Sequence, residues 1–485
     1  MEHYPLTGLP YPLNHFDSTP NEIISKIFVS LWELSTTAPS RHKIPAPLMS
    51  VCHRWRDVAL YTPNLWTDVI INTQSIKQDN YDSLFSPVNN RLQRSGNLPL
   101  DVQGFIGDHN AFILLELVAK QSHRWRTCNL NFETDGPLVY LPKYTPQLTE
   151  LRLTGPKFHW TSRPAHSPIP QSTVLTKISF THVLRPDVIP TFAGIKDLRI
   201  TDISSLILTT DYLVSILSNS PTLEILHLRG MVIKESKSRE ADNGGLPQRS
   251  IPPQLEHLRE LRLLDLRCQE MLLILKMVDS RSLQRLEMEG VSQDPQAWPE
   301  LGTAARELTF HFPLLERLAV RNLPNHDALL TDLYCMAPNI SYFSFANRNP
   351  LKAIRDLTSP DLHLFPQLRT LTTRKITLNS LFDIVRLRQK SEICIRRLNI
   401  HITDIGLAMP GGLSDIPPPF TDFEETMIAL QRLVQVEFHG ELDWEHREIY
   451  RCWDDVMHNR KVTVADITIH NDNDRLGDSF AIYTL

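Results

Sequence analysis

The chain has 485 residues, 50 basic and 55 acidic, with a formal net charge of −5. At that length a single ordinary core is excluded, and several domains or an elongated repeat array are expected. The near balance of charge excludes a global basic field for nucleic acid, and 41% hydrophobic residues exclude a chain too polar to fold.

Residues 1–16 read as an N-terminal tail. Residues 17–68 read as a helical module. In DSTPNEIISKIFVSLWEL, Thr19 suits an N-cap, Pro20 the first helical position and Glu22 the returning partner of a capping box. Ile23, Ile24, Ile27, Phe28 and Leu31 then form one apolar stripe. A polar, proline-bearing loop at 33–47 separates this helix from a second one, predicted from Leu48 to Tyr61 and ended by Pro63. On it Leu48, Val51, Cys52 and Trp55 recur at helical spacing. Residues 69–109 read as a connecting segment.

From residue 110 to 485 the chain reads as a repeat array. The pattern apolar-x-x-apolar-x-apolar recurs as LTELRL (148–153), LTKISF (175–180), IKDLRI (195–200), LEILHL (223–228), LRELRL (258–263) and LQRLEM (283–288). It continues as LERLAV (315–320), ISYFSF (340–345), LRTLTT (368–373), IRRLNI (395–400), LVQVEF (433–438) and VADITI (464–469), with WRTCNL (125–130) as an earlier copy. The starts lie about 29 residues apart on average, which signals a solenoid. Each copy ends in the alternation of a half-buried strand. Helical patterns lie between copies, at 110–122, 211–220, 269–279, 326–336, 378–389 and 424–433, with another at 445–461. Two polar stretches, 234–254 and 409–420, read as flexible insertions.

The six cysteines are Cys52, Cys128, Cys268, Cys335, Cys394 and Cys452, tens of residues apart, so neither a zinc cluster nor a disulfide framework is implied. No stretch approaches the ~18 apolar residues of a membrane span, and prolines and charge occupy the place of a signal peptide's apolar run. A cytoplasmic or nuclear protein without a membrane partner is expected. The phosphate-loop, dinucleotide, nucleophile-elbow and zinc-helix motifs are all missing, so neither catalytic residues nor a cofactor is expected. His439, Glu441, Asp443 and His446 cluster without the i, i+4 histidine pair of a zinc helix.

Each strand should present its third, fifth and seventh motif positions on one face. Those positions hold nine arginines, including Arg152, Arg199, Arg229, Arg262, Arg317 and Arg321, and seven acidic residues. Arginine's planar fork suits carboxylate or phosphate recognition, so an acidic or phosphorylated client segment is one expectation for this face. Arg–Glu pairing between neighbouring repeats is the other.

The two halves resemble known families. Pro20, Glu22 and Ile23, then Ile27 and Phe28, then Leu48, Val51, Trp55 and Arg56, then Pro63, Leu65 and Trp66 follow in order the pattern of the F-box, a module that docks a Skp-type adaptor of cullin-based ubiquitin ligases. Thr19 stands where that family has leucine. The wording around Trp55 further resembles F-box-like proteins of mushroom-forming fungi. The later repeats resemble leucine-rich repeats, although the usual Asn or Cys position holds Val183, Ile203, Met231, Leu266, Val291, Leu323 and Ile376. Together these resemblances imply an α/β repeat solenoid, an irregular leucine-rich-repeat horseshoe preceded by an F-box-like module. The implied protein is a substrate-recognition subunit of an SCF-type ligase, with Pro20, Ile23, Ile27, Phe28, Leu48, Val51, Cys52 and Trp55 on the adaptor. A repeat scaffold whose first helices merely cap the array is the alternative.

Overall fold

The structure, a computed structural model, describes residues 18–439 apart from 36, 74–81, 108–111, 135–139, 156–169, 171, 183–192, 202–206, 235–254, 279–280, 292–310, 323–328, 347–355, 358–363, 375–377, 391–394 and 402–420. The tail 1–16, nearly all of the first insertion, the whole of the second, and the elements expected at 445–461 and 464–469 therefore lie outside the described residues. The chain divides into two compact units after Leu175.

The first unit opens with four helices, α1 (Asn21–Leu34), α2 (Ala38–Lys43), α3 (Pro45–Val51) and α4 (His53–Leu60), and a 3₁₀ turn at Pro63–Trp66. Helix α1 has Pro20 at its N-cap, one residue later than the sequence suggests. The loop expected at 33–47 contains α2, because the Thr37 hydroxyl accepts the Ser40 N–H and a proline sits in the first turn. The single helix expected over 48–61 is two helices. Cys52 is extended (φ −158°, ψ 170°) and its Sγ accepts the Trp55 N–H at 3.4 Å, so the thiol caps α4. The Arg56 guanidinium, donating to the Met49 carbonyl at 3.1 Å, ties the two helices across this break.

Parallel strands follow at once, β1 (Asp68–Asn72), β2 (Leu100–Ile106), β3 (Trp125–Phe132) and β4 (Glu150–Thr154), paired in that order. Helices α5 (Asp82–Arg94) and α6 (Phe112–Ala119) accompany them. The ladder thus takes in the segment 69–109, which the sequence presents as a connection. Its strands VIIN and LDVQGFI have their leading leucines, Leu65 and Leu98, out of the repeat's spacing, so the motif does not register them. Gly104 on β2 is required by close approach. A Cβ there would stand 2.9 Å from Leu130 Cδ2 and 3.2 Å from the Ile71 carbonyl oxygen.

In the second unit ten described strands form one parallel ladder, β5 (Lys177–Thr181), β6 (Asp197–Thr201), β8 (Ile225–Arg229), β10 (Glu260–Leu266), β11 (Arg285–Gly290), β12 (Arg317–Arg321), β13 (Tyr342–Ala346), β14 (Thr370–Arg374), β15 (Arg397–His401) and β16 (Gln435–His439). Strands β7 (Ile207–Thr209) and β9 (Val232–Lys234) pair separately. Helices α7 (Thr210–Ser218), α8 (Cys268–Met277), α9 (Leu329–Met336), α10 (Leu378–Lys390) and α11 (Thr421–Leu433) lie between strands.

The repeat has a common backbone device. The N–H of the leading apolar residue closes a tight turn onto the carbonyl three residues earlier, as in Leu223 to Ser220, Leu258 to Leu255, Leu315 to Phe312 and Leu368 to Phe365. One carbonyl of each repeat then accepts two N–H groups from the next, as Glu224 does from Arg259 and Glu260. After the strand's third outward residue, His182, Gly230 and Asn322 take a left-handed φ of 59°, 59° and 50°, and Asp265 does so at 51°. Glycine, asparagine and aspartate tolerate that conformation best. The paired apolar positions, such as Leu198 and Ile200, Leu226 and Leu228, Leu261 and Leu263, are fully buried. Helix residues such as Ile216, Ile274, Leu333 and Ile384 are likewise buried, and stability in such an array is collective between repeats.

Candidate docking surfaces

The N-terminal helices bury their own core. Ile24, Phe28, Leu48, Val58, Ala59, Leu65 and Trp66 pack together, with Trp32, Met49 and Trp55 partly covered beside them. Trp55 meets Phe28 edge to face at 5.1 Å. Phe28 and Leu48, expected to touch an adaptor, are therefore core residues, 0% and 7% exposed. The reason is angular. Phe28 lies one turn from Ile24 on the side of α1 that packs inward, whereas Ile23, Ile27 and Leu31 fall on the flank of that face.

What stays outside is apolar. Ile23 and Ile27 are 44% exposed, Leu31 is equally open and Val51 is 59% exposed. Pro20 and Cys52 are exposed as well. Ile23, Ile27 and Leu31 stand at i, i+4 and i+8 and so form one ridge along α1.

The module is tied to the first strand. Asp68 begins β1 with a fully buried side chain. Its carboxylate accepts from Trp32 Nε1 at 2.8 Å and from Arg41 through Nε at 3.1 Å and Nη2 at 2.9 Å. Arg91 of α5 donates to the carbonyls of Asp68 (2.9 Å) and His42 (2.9 Å), and burial pulls its pKa down to about 10. Burial raises the Asp68 pKa, against the opposing pull of Arg41. Arg91 and Arg94 also cover the Trp66 ring, at 5.2 and 4.6 Å. No motif announces this cluster, since its members are spread over sixty residues.

On the strands, the expected alternation holds. Most outward positions are polar, and most of their arginines meet a carboxylate of this same chain. Arg152 pairs with Glu150 (2.7 Å), Arg199 with Asp197 through two bonds of 3.0 Å, Arg229 with Asp265 (2.7 Å), Arg262 with Glu260 (2.6 Å) and Arg321 with Glu287 (3.3 Å). Several of these pairs lie two residues apart on one strand, others across strands, as Arg262 with Glu287 (3.7 Å) and Arg285 with Glu260 (3.5 Å). Such half-exposed pairs contribute roughly 0–1 kcal/mol each, but an incoming anion must displace a carboxylate to use them. Arg317 differs. Its guanidinium lies 4.5 Å over the Tyr342 ring.

His227 lies between Arg199 and Arg262 in the register of β6, β8 and β10. Its Nε2 is buried without a hydrogen-bond partner among the described residues. Burial first, then Arg262, Arg199 and Arg229, lower its pKa to about 4, so the ring is neutral at pH 7. Of the His439 cluster only the His439 backbone is described; no group of three metal-ligating side chains occurs among the described residues. No helix among them is long and apolar enough to cross a membrane.

No family model matches this chain, and no curated protein does. Among solved structures it is similar to the leucine-rich repeat-containing protein LegL7 from Legionella pneumophila, at 13% identity over 76% of this chain and 88% of that one, with a TM-score of 0.31. A score of that size carries no argument, and the repeat fold rests on the strand ladder itself.

Proposed function

We propose that this chain is a substrate-recognition subunit of an SCF-type cullin ubiquitin ligase. In this reading α1, α3 and α4 bind a Skp-type adaptor and the polar strand face binds a client protein in the cytoplasm or nucleus. The observation that carries the reading is the exposed apolar ridge of Ile23, Ile27 and Leu31 on helices whose core is already filled. A self-contained cap has no use for such a ridge, whereas a partner would gain from covering it. The order of F-box-like residues from Pro20 to Trp66 supports the same assignment. The chain's contribution is positional, since bringing client and ligase core together makes their reaction effectively intramolecular.

The second reading is a repeat scaffold whose helices only cap the array, and the tie of α1 and α2 to Asp68 favours it. Co-purification of the full chain with a Skp-type adaptor separates the two. Ile27→Asp should abolish capture while leaving the circular-dichroism spectrum and melting profile intact. Capture unaffected by Ile27→Asp and Val51→Asp together, or no capture by the native chain, would remove the ligase reading and leave the scaffold.

A further inference from the structure

We infer that a client segment docks across β12–β15, placing one carboxylate side chain against Arg317. This rests on the client-binding reading above and narrows it to one place and one chemistry.

The first observation is a change in floor. Along the middle outward row the residues in register are Arg199, His227, Arg262 and Glu287 and then Ala319, Ser344, Thr372 and Asn399. Large side chains, three of them charged, give way to smaller uncharged ones. A depression of about 190 Å³ spans β10–β13, with Ala319 and Ser344 in its lining beside Arg262, Arg317, Arg321 and Tyr342 and the carboxylates Glu260 and Glu287. Three strand spacings of about 4.8 Å make roughly 14 Å from β12 to β15, the length of about four extended residues.

The second observation is the charge left over. Around the depression Arg262, Arg285 and Arg321 share Glu260, Glu287 and Glu289. Arg317 adds a fourth cation. Among the described residues no carboxylate lies within pairing distance of it, and stacking on Tyr342 holds its fork in place. One surplus positive charge calls for one carboxylate, which arginine receives with two parallel bonds. A phosphomonoester, at about −1.5 to −2, would overshoot and bring the wall carboxylates into repulsion.

The third observation is a polar chain along the floor. Asn399 Nδ2 donates to Thr372 Oγ1 (3.2 Å), which donates to the Tyr342 hydroxyl (2.9 Å). Asn399 Oδ1 remains buried without a partner among the described residues. This bonded row holds the side chains of the floor in one arrangement without adding charge to it.

The test selects a displayed random dodecapeptide library on the immobilised full chain and resynthesises the binders with each Asp or Glu replaced by its amide. One acidic position should dominate, its amide weakening binding roughly tenfold to a hundredfold. Arg317→Ala should cost the same, with no further loss when combined with that amide, and Arg317→Lys should fall between. Ala319→Leu, which fills the depression and leaves the ion pairs alone, should also weaken binding; Glu116→Gln, on an exposed position of α6 in the first unit, should not. Binders indifferent to both Arg317→Ala and Ala319→Leu would overturn the location and leave the client reading standing. Tighter binding when phosphoserine replaces the key acid would overturn the carboxylate. A chain that selects no peptide at all would overturn the client reading and this inference together.

Discussion

Replacing Phe28 by alanine tests whether the N-terminal helices form a core of their own with a separate outer ridge. The ring is completely buried and meets Trp55 at 5.1 Å. Phe→Ala truncations in cores cost about 3–5 kcal/mol, of which about 0.5–1.5 belongs to the aromatic pair. The helices are a small part of a long chain, so a single unfolding midpoint would dilute the effect. Hydrogen exchange of the α1 amides reads it locally. A loss of about 4 kcal/mol corresponds to exchange about a thousandfold faster, with amides of β8 and β10 in the second unit unchanged. Ile27→Asp is the matched control. That side chain is already 44% exposed, so its loss plus the helix-propensity change costs about 1 kcal/mol, less than tenfold in exchange. If Ile27→Asp accelerates α1 exchange as much as Phe28→Ala does, the ridge is covered within this chain and the distinction between core and ridge is false.

Two further outcomes are expected. The His227 pKa falls to about 4 in the folded chain from about 6.5 unfolded, so the unfolded state binds more protons between those values. Stability is then complete above about pH 6.5 and is lost as pH drops toward 4, by on the order of 3 kcal/mol. His227→Gln should flatten that part of the urea-midpoint profile, and a profile unchanged by the substitution would refute the assignment. In the first unit, Gly104→Ala must push Leu130 or the Ile71 carbonyl aside. Overpacking of this kind costs about 1–3 kcal/mol, to be seen as faster exchange of β1–β3 amides; unchanged exchange would mean the strands separate freely.

The repeat was legible wherever three apolar residues fell in the spacing a tight turn and a strand impose. In each unit the described motif copies fall on ladder strands, β3 and β4 in the first and the ten ladder strands in the second. Strands β1 and β2 were not legible, because Leu65 and Leu98, whose N–H groups close the turns before them, stand four rather than three residues before Val69 and Val102. The break at Cys52 was hidden for a related reason. Periodicity registers which side of a helix is apolar, and α3 and α4 keep their apolar sides nearly in phase across one extended residue. Arginine enrichment on the strand face was visible, but its meaning was not. Glu150–Arg152, Asp197–Arg199 and Glu260–Arg262 stand two apart on one strand, and only coordinates distinguish a pair that turns inward on itself from a pair open to a partner. The small floor from Ala319 to Asn399 carries no sequence signal, since it exists only when strands some thirty residues apart are set side by side.

The clasp at Asp68 has a mechanical consequence. One carboxylate takes its donors from α1 and α2 while forming the first residue of the strand ladder, so no swivel intervenes between the helices and β1. Whatever grips the outside of α1 also grips the edge of that sheet, and torque applied at one is delivered to the other.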